Sequence, residues 1–164
     1  MQIRPIHADE GLQLRDLRLR ALVDTPAEFG ETLAQAQERS EAFWHERAAQ
    51  NAAGIEAITF VADEDGRWYG MVTGFFRPDD PLTAHGAGLW VDPAGRGRGL
   101  ARELMEAMAE WARARGATRI QHWVQETNTQ VIAFHERGGY VRTGTTKPHG
   151  LNPSFQDVQM SRDL

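Results

Sequence analysis

The stretch Leu89-Trp90-Val91-Asp92-Pro93-Ala94-Gly95-Arg96-Gly97-Arg98-Gly99-Leu100-Ala101 runs from strand-forming residues into a strongly periodic helix through alternating glycine and arginine. A helix start offers unpaired N–H groups and the positive end of the helix dipole, so phosphate oxygens can be bound by the main chain. Glycines let such a ligand approach closely, and Arg96 and Arg98 would add charge-assisted hydrogen bonds. The same glycines would equally serve a tight turn that binds nothing. The segment lacks the Lys-Ser/Thr ending of a P-loop and the Gly-x-Gly-x-x-Gly of a dinucleotide fold, which counts against both of those uses.

The elements that must position this turn can be read from periodicity. Gln2 to Ile6 alternates as a strand, and from Asp9 the residues Leu14, Leu17, Ala21 and Leu22 line one face of a helix that Asp24-Thr25-Pro26 stops. Arg15, Arg18 and Arg20 read as the wet face of that helix. Ser40, Phe43, Trp44 and Arg47 predict a second helix ending near Asn51 and Gly54, with Phe29 and Gly30 in the connection. Ile58, Phe60 and Ala62, the Asp63–Gly66 turn and Trp68 to Phe76 predict a hairpin. Pro78 to Pro81 reads as a loop, and Ala84 to Val91 as a fourth strand whose Gly86 and Gly88 suggest a bulge or a close approach to a ligand.

Leu100, Leu104, Met108 and Trp111 define a helix over roughly 98–115, capped by Gly116. Thr118 to Gln125 is a strand, Asn128 to Arg137 a helix stopped by Gly138-Gly139, and Tyr140 to Thr145 and Phe155 to Met160 are closing strands. The order β–α–α–β–β–β–α–β–α–β–β predicts an α/β domain over 1–164, an open mixed sheet with helices on both faces and a right-handed parallel crossover at its centre.

Composition narrows the functions available. The chain has no cysteine, so disulfides, thiolate nucleophiles and thiolate metal sites are excluded, and a reducing compartment, the cytoplasm, is expected. Its 18 basic and 23 acidic residues leave a net charge of −5, the wrong sign for a nucleic-acid partner. Charges interrupt every apolar run near the N-terminus, so neither signal peptide nor membrane span is expected. His45-Glu46 and His135-Glu136 lack the second histidine of a zinc motif, and no metal is expected.

Val91-Asp92-Pro93 followed by Arg96-Gly97-Arg98-Gly99-Leu100-Ala101 resembles motif A of the GNAT acetyltransferases. Asn128, Ala133, Phe134 and Gly139-Tyr140 resemble the family's second motif, Asn-x-x-Ala-x-x-x-Tyr-x-x-x-Gly-Phe, in the right order. The resemblance covers nearly the whole chain. It implies a mostly antiparallel sheet of six to seven strands with a V-shaped splay between strands four and five, and acetyl-coenzyme A as co-substrate without metal. The pyrophosphate would lie on the amides of Gly97 to Ala101, with Arg96 and Arg98 beside it, and the pantetheine arm would pair with the main chain of Leu89, Trp90 and Val91. Asn128 would hydrogen-bond the coenzyme in the splay. The acetyl carbonyl would then sit near the Trp90 or Val91 amide, which would polarise it.

Acid and base follow the same correspondence, with departures. Many family members carry a glutamate base on the fourth strand at the place occupied here by His85, an imidazole competent at neutral pH. The tyrosine that usually serves as acid is replaced by His135, which would protonate the leaving sulfur, hydrogen-bond the coenzyme, or stand as an exposed helix residue without a role. Tyr140 takes the closing aromatic position, where packing is the expected role.

The resemblance places the acceptor pocket among Phe29, Trp44, Trp90 and the loop from Lys147 to Phe155. The expected reaction is direct acetyl transfer to a primary amine of a small molecule or peptide, and the acidic balance leans towards a cationic acceptor. A non-catalytic acyl-CoA sensor is the alternative, because the usual acid and base residues are both absent. A nucleotide-binding domain ranks below both. Open sheet edges would permit a homodimer.

Overall fold

The computed structural model describes Met1–Leu164. Its elements are β1 (Gln2–Pro5), α1 (Gly11–Asp24), α2 (Leu33–Glu38), α3 (Glu41–Ala53), β2 (Ala57–Glu64), β3 (Arg67–Arg77), β4 (Asp80–Val91), α4 (Leu100–Ala114), β5 (Arg119–Gln125), α5 (Thr129–Arg137), β6 (Val141–Pro148) and β7 (Gln156–Asp163). The strands form one seven-stranded sheet in the order β1-β2-β3-β4-β5-β7-β6. Every neighbouring pair is antiparallel except β4 and β5, which α4 joins in parallel.

Alternation along the strands gives the sheet two apolar faces. Ile58, Phe60, Val72, Ala84, Ile120 and Met160 pack with Leu104, Met108 and Ala112 of α4. On the opposite face Val61, Trp68, Met71 and Trp90 pack with Leu14, Leu17 and Ala21 of α1 and Trp44 and Ala48 of α3. No helix is long and apolar enough to cross a membrane.

Two features depart from the sequence reading. The helix α2 is absent from it because six residues are too few to establish a period, although the capping box that starts the helix, Thr32 with Gln35, is spelled in the sequence. The stretch Pro78–Pro81 is not wholly a loop: β4 begins at Asp80, which pairs with Arg77, leaving Pro78 and Asp79 as the connection. Pro81 is exposed near the strand's start, where the missing N–H costs no ladder bond.

The sheet parts at its centre. β4 and β5 pair only from Thr83 with Arg119 to Gly86 with His122, while β4 runs on to Val91 and β5 to Gln125. Against β3, Met71 pairs with Trp90 and Thr73 with Ala87, so β4 holds one extra residue there, a β-bulge at Gly88 and Leu89. Gly88 has φ +64, a conformation glycine adopts without strain.

Candidate active site

The glycine-arginine turn lies at the open end of the V. Gly97 and Gly99 have φ of +78 and +82, and Gly99 caps α4 in the left-handed conformation. The N–H groups of Gly97, Arg98, Gly99, Leu100 and Ala101 have no hydrogen-bond partner in the chain, whereas those of Arg96 and Arg102 are bonded to Pro93 and Gly99. Five consecutive free donors at the start of a fifteen-residue helix form the nest expected for a polyanionic ligand. A pyrophosphate fits this nest, and the main-chain edge of β4 beyond Gly86, free of β5, fits an extended arm laid along it.

The two arginines of the turn are engaged within the chain. Arg96 pairs with Asp24 and donates from Nε to the Val91 carbonyl at 3.1 Å, and Arg98 pairs with Glu64 at 3.0 Å. Both remain partly exposed, so each can exchange its carboxylate for a phosphate. Leu100 is buried and anchors the helix start in the core. Asn128 caps α5, its Oδ1 accepting from the Val131 amide at 3.1 Å, and its amide nitrogen has no partner in the chain.

The histidines stand on opposite faces of the sheet. His85 lies beside Phe75, the rings 5.4 Å apart, with Gln121 opposite on β5. It is buried and its Nε2 has no partner. Burial, and then Arg77, push its pKa below 6.5 against the weaker pull of Asp80 and Asp79, so the ring is neutral at pH 7. His135 faces the other side, in a cluster with His122 at 4.9 Å and Tyr140 at 5.1 Å. Burial pushes its pKa down to about 4, so at neutral pH it serves as a neutral N–H donor and not as an imidazolium. Tyr140 is packed as expected, and burial raises its hydroxyl to about 12.

His122 was not singled out in the sequence, yet it sits at the apex of the V. Its ring fills the space beside Gly86, where a Cβ would stand 1.8 Å from the imidazole. Complete burial, then His135, hold its pKa well below 6.5. Gly86 is therefore glycine for want of room beside an aromatic ring, a pairing across non-adjacent segments that sequence periodicity does not carry.

The residues expected at the acceptor are buried: Phe29, Trp44 and Trp90 belong to the core between α1, α3 and the sheet. Trp90 donates from its indole N–H to Asp24 at 2.9 Å. The expected loop from Lys147 starts later than the sequence suggests, because β6 runs to Pro148 in register with β7; Lys147 lies on that strand over Trp123 at 4.3 Å, and His149 just beyond it is buried against Asp157 at 2.9 Å. A cavity of about 440 Å³ opens beside Trp90 between α1 and α2, lined by Asp16, Arg20, Asp24, Leu33, Gln37 and Asp92 among others.

The arginines of α1 are not its wet face. Arg20 pairs with Asp92, and Arg18 is largely buried, stacked over Phe29 at 4.3 Å and bonded to Glu31 at 2.9 Å. A fold that wraps the connection after α1 back over the helix covers these side chains, and nothing in local periodicity signals that return.

The family described as Acetyltransferase (GNAT) matches residues 19–140. The mycothiol acetyltransferase of Beutenbergia cavernae is 24% identical over 135 residues, 82% of this chain and 42% of that protein. The L-2,4-diaminobutyric acid acetyltransferase of Streptomyces coelicolor is 38% identical over 84 residues, 48% of this chain and 49% of that protein. The chain thus spans less than half the length of these relatives. Among solved structures, the ribosomal-protein-alanine N-acetyltransferase of Brucella melitensis has a TM-score of 0.79 at 25% identity, with 100% of each chain covered. The family match begins in α1, takes in both strands of the V and the turn beside them, and ends at Tyr140; the chain belongs to the GNAT acetyltransferase family.

Proposed function

We propose that the chain transfers an acetyl group from acetyl-coenzyme A to a primary amine by direct attack. The observation that carries this reading is the row of five free amides from Gly97 to Ala101 beside a strand edge that β5 leaves unpaired. The amides hold the pyrophosphate, Asn128 steadies the arm in the V, and the main-chain donors near the Gly88 bulge polarise the acetyl carbonyl. The coenzyme supplies an acetyl carbon already activated as a thioester.

In the transfer the amine nitrogen bonds to the acetyl carbon and the carbon–sulfur bond breaks; one proton leaves the nitrogen and one ends on sulfur. His85, neutral and with an unpaired ring nitrogen, takes the first, directly or through water. His135 faces the coenzyme side and offers an N–H to the departing sulfur. No covalent acyl-enzyme is needed, since the chain has no thiol nucleophile.

Calorimetric titration with acetyl-coenzyme A, coenzyme A and ATP, followed by thiol release over a panel of amines, tests the reading. Coenzyme binding with amine-dependent thiol release is expected. Binding without turnover on any amine would point to a sensing module, and absence of coenzyme binding would overturn the proposal.

A further inference from the structure

Around Arg18, beside the bulge of β4, positive charge gathers in a way that the net charge of the chain hides. Arg18, Arg39 and Arg47 converge there with one nearby carboxylate, Glu31, which accepts from Arg18 at 2.9 Å and from Arg39 at 3.0 Å. Arg39 and Arg47 both lie over Phe43, at 4.3 and 5.1 Å. Glu31 engages only the Nε of Arg18, and the two terminal nitrogens of that guanidinium have no hydrogen-bond partner.

One of those free nitrogens lies beside the bulge. A Cβ at residue 88 would stand 3.4 Å from Arg18 Nη1, its nearest neighbour. Phe29 beneath the guanidinium and Glu31 at its side hold the fork in place, with one fifth of the side chain exposed. Burial lowers the Arg18 pKa, Glu31 opposes it, and Arg39 and Arg47 add smaller like-charge repulsion. A planar fork with both outer nitrogens free is the geometry that grips a carboxylate through two parallel hydrogen bonds.

We infer that the acceptor amine bears a carboxylate a few bonds away, held by the terminal nitrogens of Arg18, so that the acceptor is an amino acid or a close derivative of one. The inference rests on the acetyl-transfer reading, which puts the reacting carbonyl at the bulge that Arg18 touches. It replaces the cationic acceptor suggested by net charge: around Arg18 the local charge is opposite in sign to the whole, while the cavity beside Trp90 sets Asp16, Asp24 and Asp92 against Arg20. Simple polyamines would meet three guanidinium groups and be repelled.

Matched pairs of acceptors on the unaltered protein give the test. L-2,4-diaminobutyrate is compared with 1,3-diaminopropane, lysine with 1,5-diaminopentane, and phenylalanine with both phenethylamine and phenylalanine methyl ester. The carboxylated member of a productive pair should show kcat/KM at least about tenfold higher, the value of one good charged contact. Arg18→Gln should erase that preference by raising KM for the carboxylated member, and Arg18→Lys, which keeps charge but not the fork, should restore part of it. A C-terminal carboxylate can come from a peptide as well, so Gly-Gly set against glycine separates the two sources.

Turnover indifferent to the carboxylate, or better without it, overturns the inference while leaving acetyl transfer standing. A fall in acetyl-coenzyme A affinity in Arg18→Gln, read by calorimetry, would place the arginine on the coenzyme and overturn it too. Absence of coenzyme binding and of thiol release on every amine would remove both readings together.

Discussion

His85 and His135 have the same side chain, and the proposed mechanism gives them different work on the opposite faces they occupy. His85 must be neutral to accept a proton, and burial keeps its pKa below 6.5. Activity should therefore be flat across neutral pH on this account and fall as the medium becomes acid enough to protonate the ring, a limb lying below pH 6.5. His85→Ala should lower kcat by roughly a hundredfold to ten-thousandfold and remove that limb from the kcat/KM profile.

For His135 the consequence is one of stability. Its folded pKa of about 4 lies below the ordinary 6.5, so the unfolded chain binds the proton more tightly. The stability it contributes is complete above pH 6.5 and is lost as pH falls towards 4, by on the order of 3 kcal/mol. His122 acts in the same direction. Urea denaturation at pH 7 and pH 4.5 should show a smaller loss in His135→Phe than in the unaltered protein. The residue types at 85 and 135 were legible in the sequence through the motif positions, but their protonation states were not, because burial is set by segments far away in the chain.

At the scale of elements the turn before α4 was the most legible part of the site. Glycine, arginine and the periodic helix are local signals, and the structure turns them into free amides with left-handed glycines at 97 and 99. Nothing lies within 4 Å of a Cβ added at Gly97, so Gly97→Ala meets no clash in the protein itself. The φ of +78 costs about 1 kcal/mol, while the methyl stands where the proposed coenzyme phosphate would approach. Calorimetry should show acetyl-coenzyme A affinity reduced by about tenfold or more, with only a small shift in thermal midpoint. The wall made by α2, Glu31 and Arg18 was illegible for the opposite reason. It depends on a short helix and on a chain reversal that brings Phe29 under an arginine eleven residues earlier.

The whole molecule is one sheet with an apolar core on each face, held open at a single place. The sequence foresaw the mixed sheet, its parallel crossover and the splay, the last through family resemblance, because no local pattern says where two strands will separate. A ligand that spans the V ties both halves of the sheet to the helix start. At a hundred times its dissociation constant, coenzyme A should add about 2.7 kcal/mol, and a domain of this size should melt about 5–11 °C higher in a thermal scan. Unchanged melting at saturation would argue against a site built across the parted strands.

The extra residue at Gly88 also works as a change of phase. Up to Ala87 odd-numbered residues of β4 look towards α1, as His85 does; beyond the bulge the order is inverted, with Trp90 towards α1 and Leu89 and Val91 towards α4. A strand counts in twos, so the loss or gain of a single residue there would rewrite the meaning of every position after it. A one-residue deletion would leave the composition almost untouched and turn the far end of the strand inside out.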